Sequence, residues 1–385
     1  MSGDAPKLPL FDIHLADEDV EAVTEALRSG WLTMGPRTRR FEEEFAQHLG
    51  VKHALAVTNG TAALHLAYLA AGIGPGDEVI VPAITFVATA NAVRYCGAEP
   101  VLADVLGDHD LSLDPDDVRA RLSERTKAVC CMHYGGYAAP VAALRELCDE
   151  HGIALIEDAA HAPASTAGDD SRPLGTWGRA GAFSFFSNKV LGCGEGGLVA
   201  TDHDDAAELV TRLRSHGMTS GTWDRHRGHS AGYDVVGLGF NYRMDEPRAA
   251  LLTSRLARLD EDVSARRRLV QRYRDRLSAL DGVTVPYSDE SVAESSCYVM
   301  PVLMERAELR DAVRQTMLDD FGVQTSILYP ALHEFSAYSD SAPGRLPRSE
   351  SVARSELTLP LFPHMTDEQQ DLAVEALAGA LERGA

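Results

Sequence analysis

Between Val51 and Asp202 the chain alternates short apolar runs with stretches of helical periodicity. "HALAV" (53–57) is followed by an alanine-rich helix from Gly60, and "DEVIVPA" (77–83) by a helix over Thr85–Tyr95. "EPVLADV" (99–105) precedes a helix from Asp114, "KAVCCMHY" (127–134) precedes a helix over Val141–Glu150, and "IALIEDAA" (153–160) follows. Near-continuous apolar runs separated by helices mark strands buried on both faces, so this part predicts an α/β fold with a mainly parallel sheet between helices.

The texture changes near Arg243. Residues 243–280 read as one long amphipathic helical stretch, broken once. A strand ("SCYVMPVLM"), a helix from Arg306, a strand ("VQTSILY") and a last helix over Asp367–Arg383 follow. That pattern predicts a large domain over 1–254 and a smaller C-terminal α+β domain over 255–385.

Charge and length narrow the function classes. A chain of 385 residues is long enough for about two domains. Its net charge of −22 argues against a nucleic-acid partner, which asks for a basic face. No apolar run approaches the ~20 residues that cross a membrane, and "MSGDAPKLPLFDIH" lacks the regions of a signal peptide, so a cytoplasmic protein is expected. The six cysteines form no C-x-x-C pair and are expected to be reduced and mostly buried. His226 and His229 are spaced H-x-x-H without a nearby cysteine or Glu-His partner, so no metal site is expected.

Three places carry chemistry. The first is Asn59-Gly60-Thr61 at a helix start, where free N–H groups and a hydroxyl would hold a phosphate or simply cap the helix. The second is Asp158, which with Glu157 ends an apolar strand; it would hold a cation, a metal or a protonated ring nitrogen, or cap the next turn. The third is Lys189 in "FSFFSNKVLGCGEGGLVAT" (183–201), one of only four lysines in an arginine-rich chain; a lysine amine can lose its proton and an arginine cannot. Gly192, Gly194 and Gly197 spell G-x-G-x-x-G, but a strand pattern follows where a dinucleotide site needs a helix. Gly196-Gly197 read instead as a tight turn between two strands. Taken together, an anion cradle, a strand-end carboxylate and an amine are what pyridoxal 5′-phosphate requires for its phosphate, pyridine nitrogen and aldehyde.

The chain also resembles the DegT-type sugar aminotransferases, members of the aspartate-aminotransferase superfamily with the PLP-dependent transferase fold type I. The segments that carry the resemblance run in order from about Trp31 to Gln369. They include "TMGPRTRRFEEEFAQHLG", "NGTAALHLA", "GPGDEVIVPAITFVATANAV", "IEDAAHAPAS", "FSFFSNKVLGCGEGGLVAT", "GFNYRMDEPRAALL", "TSILYPALH" and "LTLPLFPHMTDEQ". The resemblance implies that Lys189 bonds the cofactor and shuttles the proton, and that Asp158 holds its ring nitrogen. It also implies that Phe86 stacks on the ring, that His161 lies beside it, and that Gly60, Thr61 and Ser184 bind the phosphate. Asn241 matches a residue that reaches the phosphate from a neighbouring subunit, which implies a homodimer with shared active sites.

The implied reaction moves an amino group from an amino acid, by family habit L-glutamate, to a keto group of a nucleotide-linked deoxysugar. A keto-cyclitol is the alternative acceptor, and a PLP-binding non-catalytic regulator the alternative function. A sugar dehydratase on this fold carries histidine in place of the lysine, so Lys189 argues against one. Within the polar stretch 214–234, Trp223, Arg225, His226, Arg227 and His229 would meet the sugar-nucleotide or form a solvated loop. Tyr329 and His333 match positions near the family's substrate, Leu328 replaces a histidine common there, and Arg37 is a further candidate contact.

Overall fold

The computed structural model describes residues 6–219, 232–342 and 344–384. Its central sheet has seven strands, in spatial order His53–Val57, Gly197–Thr201, Ala180–Ser184, Ala154–Asp158, Thr126–Met132, Glu78–Pro82 and Glu99–Ala103. Every neighbouring pair is parallel except those made by Gly197–Thr201, which runs antiparallel to both of its neighbours.

Alternate residues of each strand feed two separate cores. Ala54, Ile80, Val129, Cys131, Phe183 and Leu198 pack on one face with Phe41, Phe45 and Leu144 from the helices Pro36–Leu49 and Val141–His151. Leu55, Val79, Val81, Cys130, Ala182 and Val199 pack on the other with Leu66 and Val93 from Gly60–Ala70 and Ala88–Tyr95. The period of two along a pleated strand, with both faces covered, is why these runs contain almost no polar residue. All six cysteines are free and buried in these layers.

A second sheet of three strands, Val283–Thr284, Met300–Met304 and Glu356–Leu359, is antiparallel throughout and built wholly from the C-terminal part. The long helical stretch after Arg243 is indeed broken once, into Glu246–Leu256 and Leu259–Leu277. Among the described residues, no helix is long and apolar enough to cross a membrane.

Three expectations need correction. The helix after "DEVIVPA" starts at Ala88, because residues 84–87 turn first to bring Phe86 to the sheet edge. "VQTSILY" makes only single bridges, Val323 with Leu8 and Ser326 with Thr358, as it runs along the small sheet. Gly196-Gly197 is not a tight turn: Gly197 opens a strand, and the connection from Ser184 spans 185–196. Two N-terminal helices, Asp17–Arg28 and Pro36–Leu49, were not foreseen; the second is closed by Gly50 in the left-handed region.

Candidate active site

The parallel strands end at one edge, and the candidate residues gather there. Asp158 is the last residue of its strand and Ser184 of the next, with Ala182 paired to Asp158 and Ser184 to Gly197. Between Ser184 and Gly197 the chain folds into a loop pinned by Phe185 N–H to Gly196 O (2.8 Å), Lys189 N–H to Phe186 O (2.9 Å) and Cys193 N–H to Phe185 O (2.9 Å). A Cβ at Gly192 would sit 2.6 Å from the Phe186 carbonyl, and one at Gly197 would strike the Asn59 carbonyl. Of the glycines that spell the dinucleotide fingerprint, Gly192 and Gly197 are therefore needed for close backbone packing, and Gly194 for its positive φ of 95°.

A cavity of about 470 Å³ opens at this edge, lined by Asn59, Gly60, Thr61, Phe86, Asp158, His161, Ser184, Asn188, Lys189, Glu195, Tyr298 and Tyr329 among others. At the start of Gly60–Ala70, Asn59 accepts from Ala62 N–H through Oδ1 (2.8 Å) and from Ala63 N–H through its carbonyl (3.1 Å). The cap and the cradle are thus compatible: Asn59 caps, and the N–H groups of Gly60 and Thr61 have no acceptor among the described residues. A Cβ on Gly60 would come within 2.8 Å of Ser184 Cβ, so the hydroxyl and the helix start share one small recess.

Asp158 is 4 % exposed and accepts from Thr89 Oγ1 (2.7 Å) and Ala160 N–H (3.2 Å). Burial lifts its carboxyl above the usual range, against its hydrogen bonds and the positive charge of Lys189. Its chain neighbour Glu157 faces away, where His133 Nε2 (3.1 Å) and the N–H groups of Gly175, Trp177 and Gly178 (2.6–2.8 Å) surround it. Glu157 fixes a loop; Asp158 faces the cavity, and among the described residues no basic group lies at ion-pair distance from it.

Lys189 is half-buried, and its Nζ lies 4.4 Å from the Tyr298 ring centroid, with no ion pair among the described residues. Burial lowers the amine to about 7, partly opposed by the charge of Asp158. His161 is buried; its Nδ1 accepts from Gly135 N–H (3.1 Å), which leaves Nε2 to carry the proton and donate to Tyr329 Oη (3.2 Å). Burial holds this imidazole well below its ordinary value, so it stays neutral. Phe86, 53 % exposed, offers a bare ring, 5.9 Å from that of Tyr329.

An anion at the paired N–H groups, a cation beside Asp158 and a carbonyl compound at Lys189 would each relieve an unmet demand of this cavity. Pyridoxal 5′-phosphate supplies all three from one molecule, so the residues present fit it.

Not every expected residue joins them. Arg37 lies on the far side of its helix, its guanidinium reaching the Glu25 carbonyl (3.3 Å) and Ser29 Oγ (3.4 Å), and it does not line the cavity. His333 turns toward Glu350 (3.9 Å) and is also outside the lining. Asn241 is exposed and bridges Ser215 through its backbone. Trp223, Arg225, His226, Arg227 and His229 lie outside the described residues. Sequence reasoning missed Thr89, Asn188 and Tyr298, whose hydroxyl donates to Asn188 Oδ1 (3.1 Å). Nothing local distinguishes a helix threonine or a tyrosine just before a strand; only the fold brings them to Asp158 and Lys189.

Comparison with known proteins identifies the family. Residues 14–378 match the model of the DegT/DnrJ/EryC1/StrS aminotransferase family. The spore coat polysaccharide biosynthesis protein SpsC of Bacillus subtilis is 36% identical over 369 residues, 94% of each chain. DesV of S. venezuelae, solved in complex with a ketimine intermediate, is 36% identical with a TM-score of 0.88, covering 98% of this chain and 100% of that one. NtdA of Bacillus subtilis, solved with bound cofactor PMP, is 28% identical with a TM-score of 0.85, covering 96% and 83%. The chain belongs to the DegT/DnrJ/EryC1/StrS aminotransferase family.

Proposed function

We propose that this aminotransferase uses pyridoxal 5′-phosphate to move the amino group of L-glutamate onto a keto group of a nucleotide-linked deoxysugar. One observation carries the reading: a lysine amine near neutrality shares one cavity with a buried, cation-free aspartate and an unpaired pair of helix N–H groups. The bound cofactor supplies an aldehyde that accepts amines and a ring that withdraws electrons once its nitrogen is protonated. Asp158, held by Thr89 and Ala160, keeps that nitrogen protonated. Gly60, Thr61 and Ser184 would anchor the phosphate, and Phe86 would stack against the ring. Lys189 would bond the cofactor's aldehyde and, as a free amine, would take up and return the proton at the substrate carbon; its depressed pKa keeps a large neutral fraction at pH 7. His161, neutral and fixed in one tautomer, donates from Nε2 and holds Tyr329 at the wall. In this reading Tyr329 contacts the acceptor.

A sugar acceptor is supported by the polysaccharide role of SpsC, and amine transfer by the ketimine complex of DesV and the aminated cofactor of NtdA. The working form is a homodimer in which Asn241 serves the partner's phosphate site. Support for the dimer comes from the apolar surface beside Asn241, where Val235, Val236 and Leu238 are exposed, Leu238 to 88 %. The split into a large unit (1–254) and a small one (255–385) is supported by the separate three-stranded sheet.

The acceptor is tested by incubating purified protein with glutamate or glutamine and, in turn, 4-keto and 3-keto deoxysugar nucleotides and a keto-cyclitol. Glutamate-dependent amination of a keto-sugar nucleotide is expected. Amination of the keto-cyclitol alone would contradict the acceptor, and bound cofactor with no amination of any ketone would point to a regulator.

A further inference from the structure

We propose that Glu356 is a positioning residue for acceptor binding: its carboxyl holds the Leu328 amide and so sets Tyr329 at the wall of the active cavity. Glu356 opens a strand of the small sheet and is fully buried. Oε2 accepts from Leu328 N–H (2.7 Å) and Oε1 from Thr358 Oγ1 (2.5 Å). The other end of the same residue is held too, because Tyr134 Oη donates to the Leu328 carbonyl. Among the described residues no basic side chain pairs with the carboxyl; Arg310 Nη1 donates to the main-chain oxygen of Glu356 (3.1 Å) instead.

The position of this clamp gives it meaning. Ser326 and Thr358 exchange both backbone hydrogen bonds (3.2 and 2.8 Å), so the incoming segment lies along the strand up to that point. Two residues later it must leave the sheet to reach the cavity, and the Leu328 N–H loses its ladder partner. The Glu356 carboxyl replaces that partner. Immediately beyond, Tyr329 Oη meets His161 Nε2 (3.2 Å), and the Tyr329 ring stands near Phe86. A residue needed only for packing at a buried strand start would be apolar, since an unpaired buried carboxyl is costly. Burial lifts the acid to about 8, so the neutral form predominates at pH 7, and its carbonyl oxygen still accepts from Leu328. Glutamine therefore keeps the oxygen that accepts from Leu328, with its amide N–H turned to Thr358 Oγ1, and leucine removes that oxygen.

The inference rests on the reading that Tyr329 contacts the acceptor, so the test separates the two. Glu356→Leu, Glu356→Gln and Tyr329→Phe holoenzymes are compared with wild type in steady-state kinetics, and amide hydrogen exchange is followed over the peptide containing Leu328. In Glu356→Leu we expect about a tenfold rise in acceptor KM, with glutamate KM within about twofold of wild type, and faster exchange at Leu328. Glu356→Gln should stay within about twofold on each measure, and Glu356→Leu combined with Tyr329→Phe should lose little more than either alone. If Glu356→Leu does not fold, Glu356→Met, similar in volume to glutamate and without an oxygen to accept from the Leu328 amide, takes its place with the same expectation. Unchanged acceptor KM and unchanged exchange, alongside an impaired Tyr329→Phe, would overturn the positioning role. An unimpaired Tyr329→Phe would overturn the reading of Tyr329, while exchange at Leu328 would still decide whether Glu356 holds that amide.

Discussion

Asp158 and Lys189 sit in one cavity, and the same burial pushes their pKa values toward each other, raising the acid and lowering the amine. Each charge would stabilise the other, yet neither is close enough to form an ion pair, which leaves both available to a ligand. The amine must be neutral to attack an aldehyde. With its pKa at about 7, the neutral fraction grows tenfold per pH unit below that value and levels off above it. Cofactor capture by the cofactor-free chain, followed as growth of the visible band, should rise to about pH 7 and then plateau. A rise continuing to pH 10 would mean an amine at its ordinary value. The linkage has the matching sign: between about 7 and 10.5 the unfolded chain holds more protons on this group than the folded one, so its contribution to stability increases with pH there and is least favourable below. Asp158 was legible in the sequence as a polar residue at the end of an apolar run, and Lys189 by its place in chain order after Gly60–Thr61 and Asp158. Thr89, Tyr298 and Glu356 were not, since their roles come from contacts far away along the chain.

At the scale of elements, the site depends on how closely backbone segments approach at the carboxyl edge of the sheet. The helix start at Gly60 lies against Ser184, and Gly197 lies against Asn59, so one recess is built from three segments. Gly60→Ala should place a methyl against Ser184 Cβ and push the helix N-terminus away from it. Equilibrium dialysis of this variant should show cofactor affinity weakened about tenfold or more, with the far-ultraviolet circular dichroism unchanged. Unchanged affinity would mean that the recess does not hold the phosphate. The strand–helix alternation was readable because strands buried on both faces leave almost no polar residue. "VQTSILY" misled because its β-branched and aromatic residues look like a strand even when the segment only skirts a sheet with single bridges. The loop 185–196 misled differently, because glycines that permit close packing look like glycines that make turns.

For the whole molecule, the proposed homodimer makes each site depend on two chains. Subunits carrying Lys189→Ala and subunits carrying Asn241→Ala should each be poorly active alone. Mixed and re-equilibrated, half of the dimers are hybrids in which one site carries both defects and the other neither, so about one quarter of wild-type activity should return. Absence of recovery in a verified hybrid would place Asn241 in its own subunit's site or in none. The fold class and the order of the chemistry-bearing segments could be read along the chain, whereas the placement of Arg37 and His333 away from the cavity could not, since helix and loop orientation are set by packing. The most direct measurement is the visible spectrum of the purified holoenzyme on addition of L-glutamate without acceptor, for wild type and Lys189→Ala. The wild type should lose its cofactor band and release one 2-oxo acid per site, and Lys189→Ala should show neither the band nor the release. Glutamate-dependent conversion at the wild-type rate in Lys189→Ala would contradict the assignment of Lys189 as the residue that carries the proton.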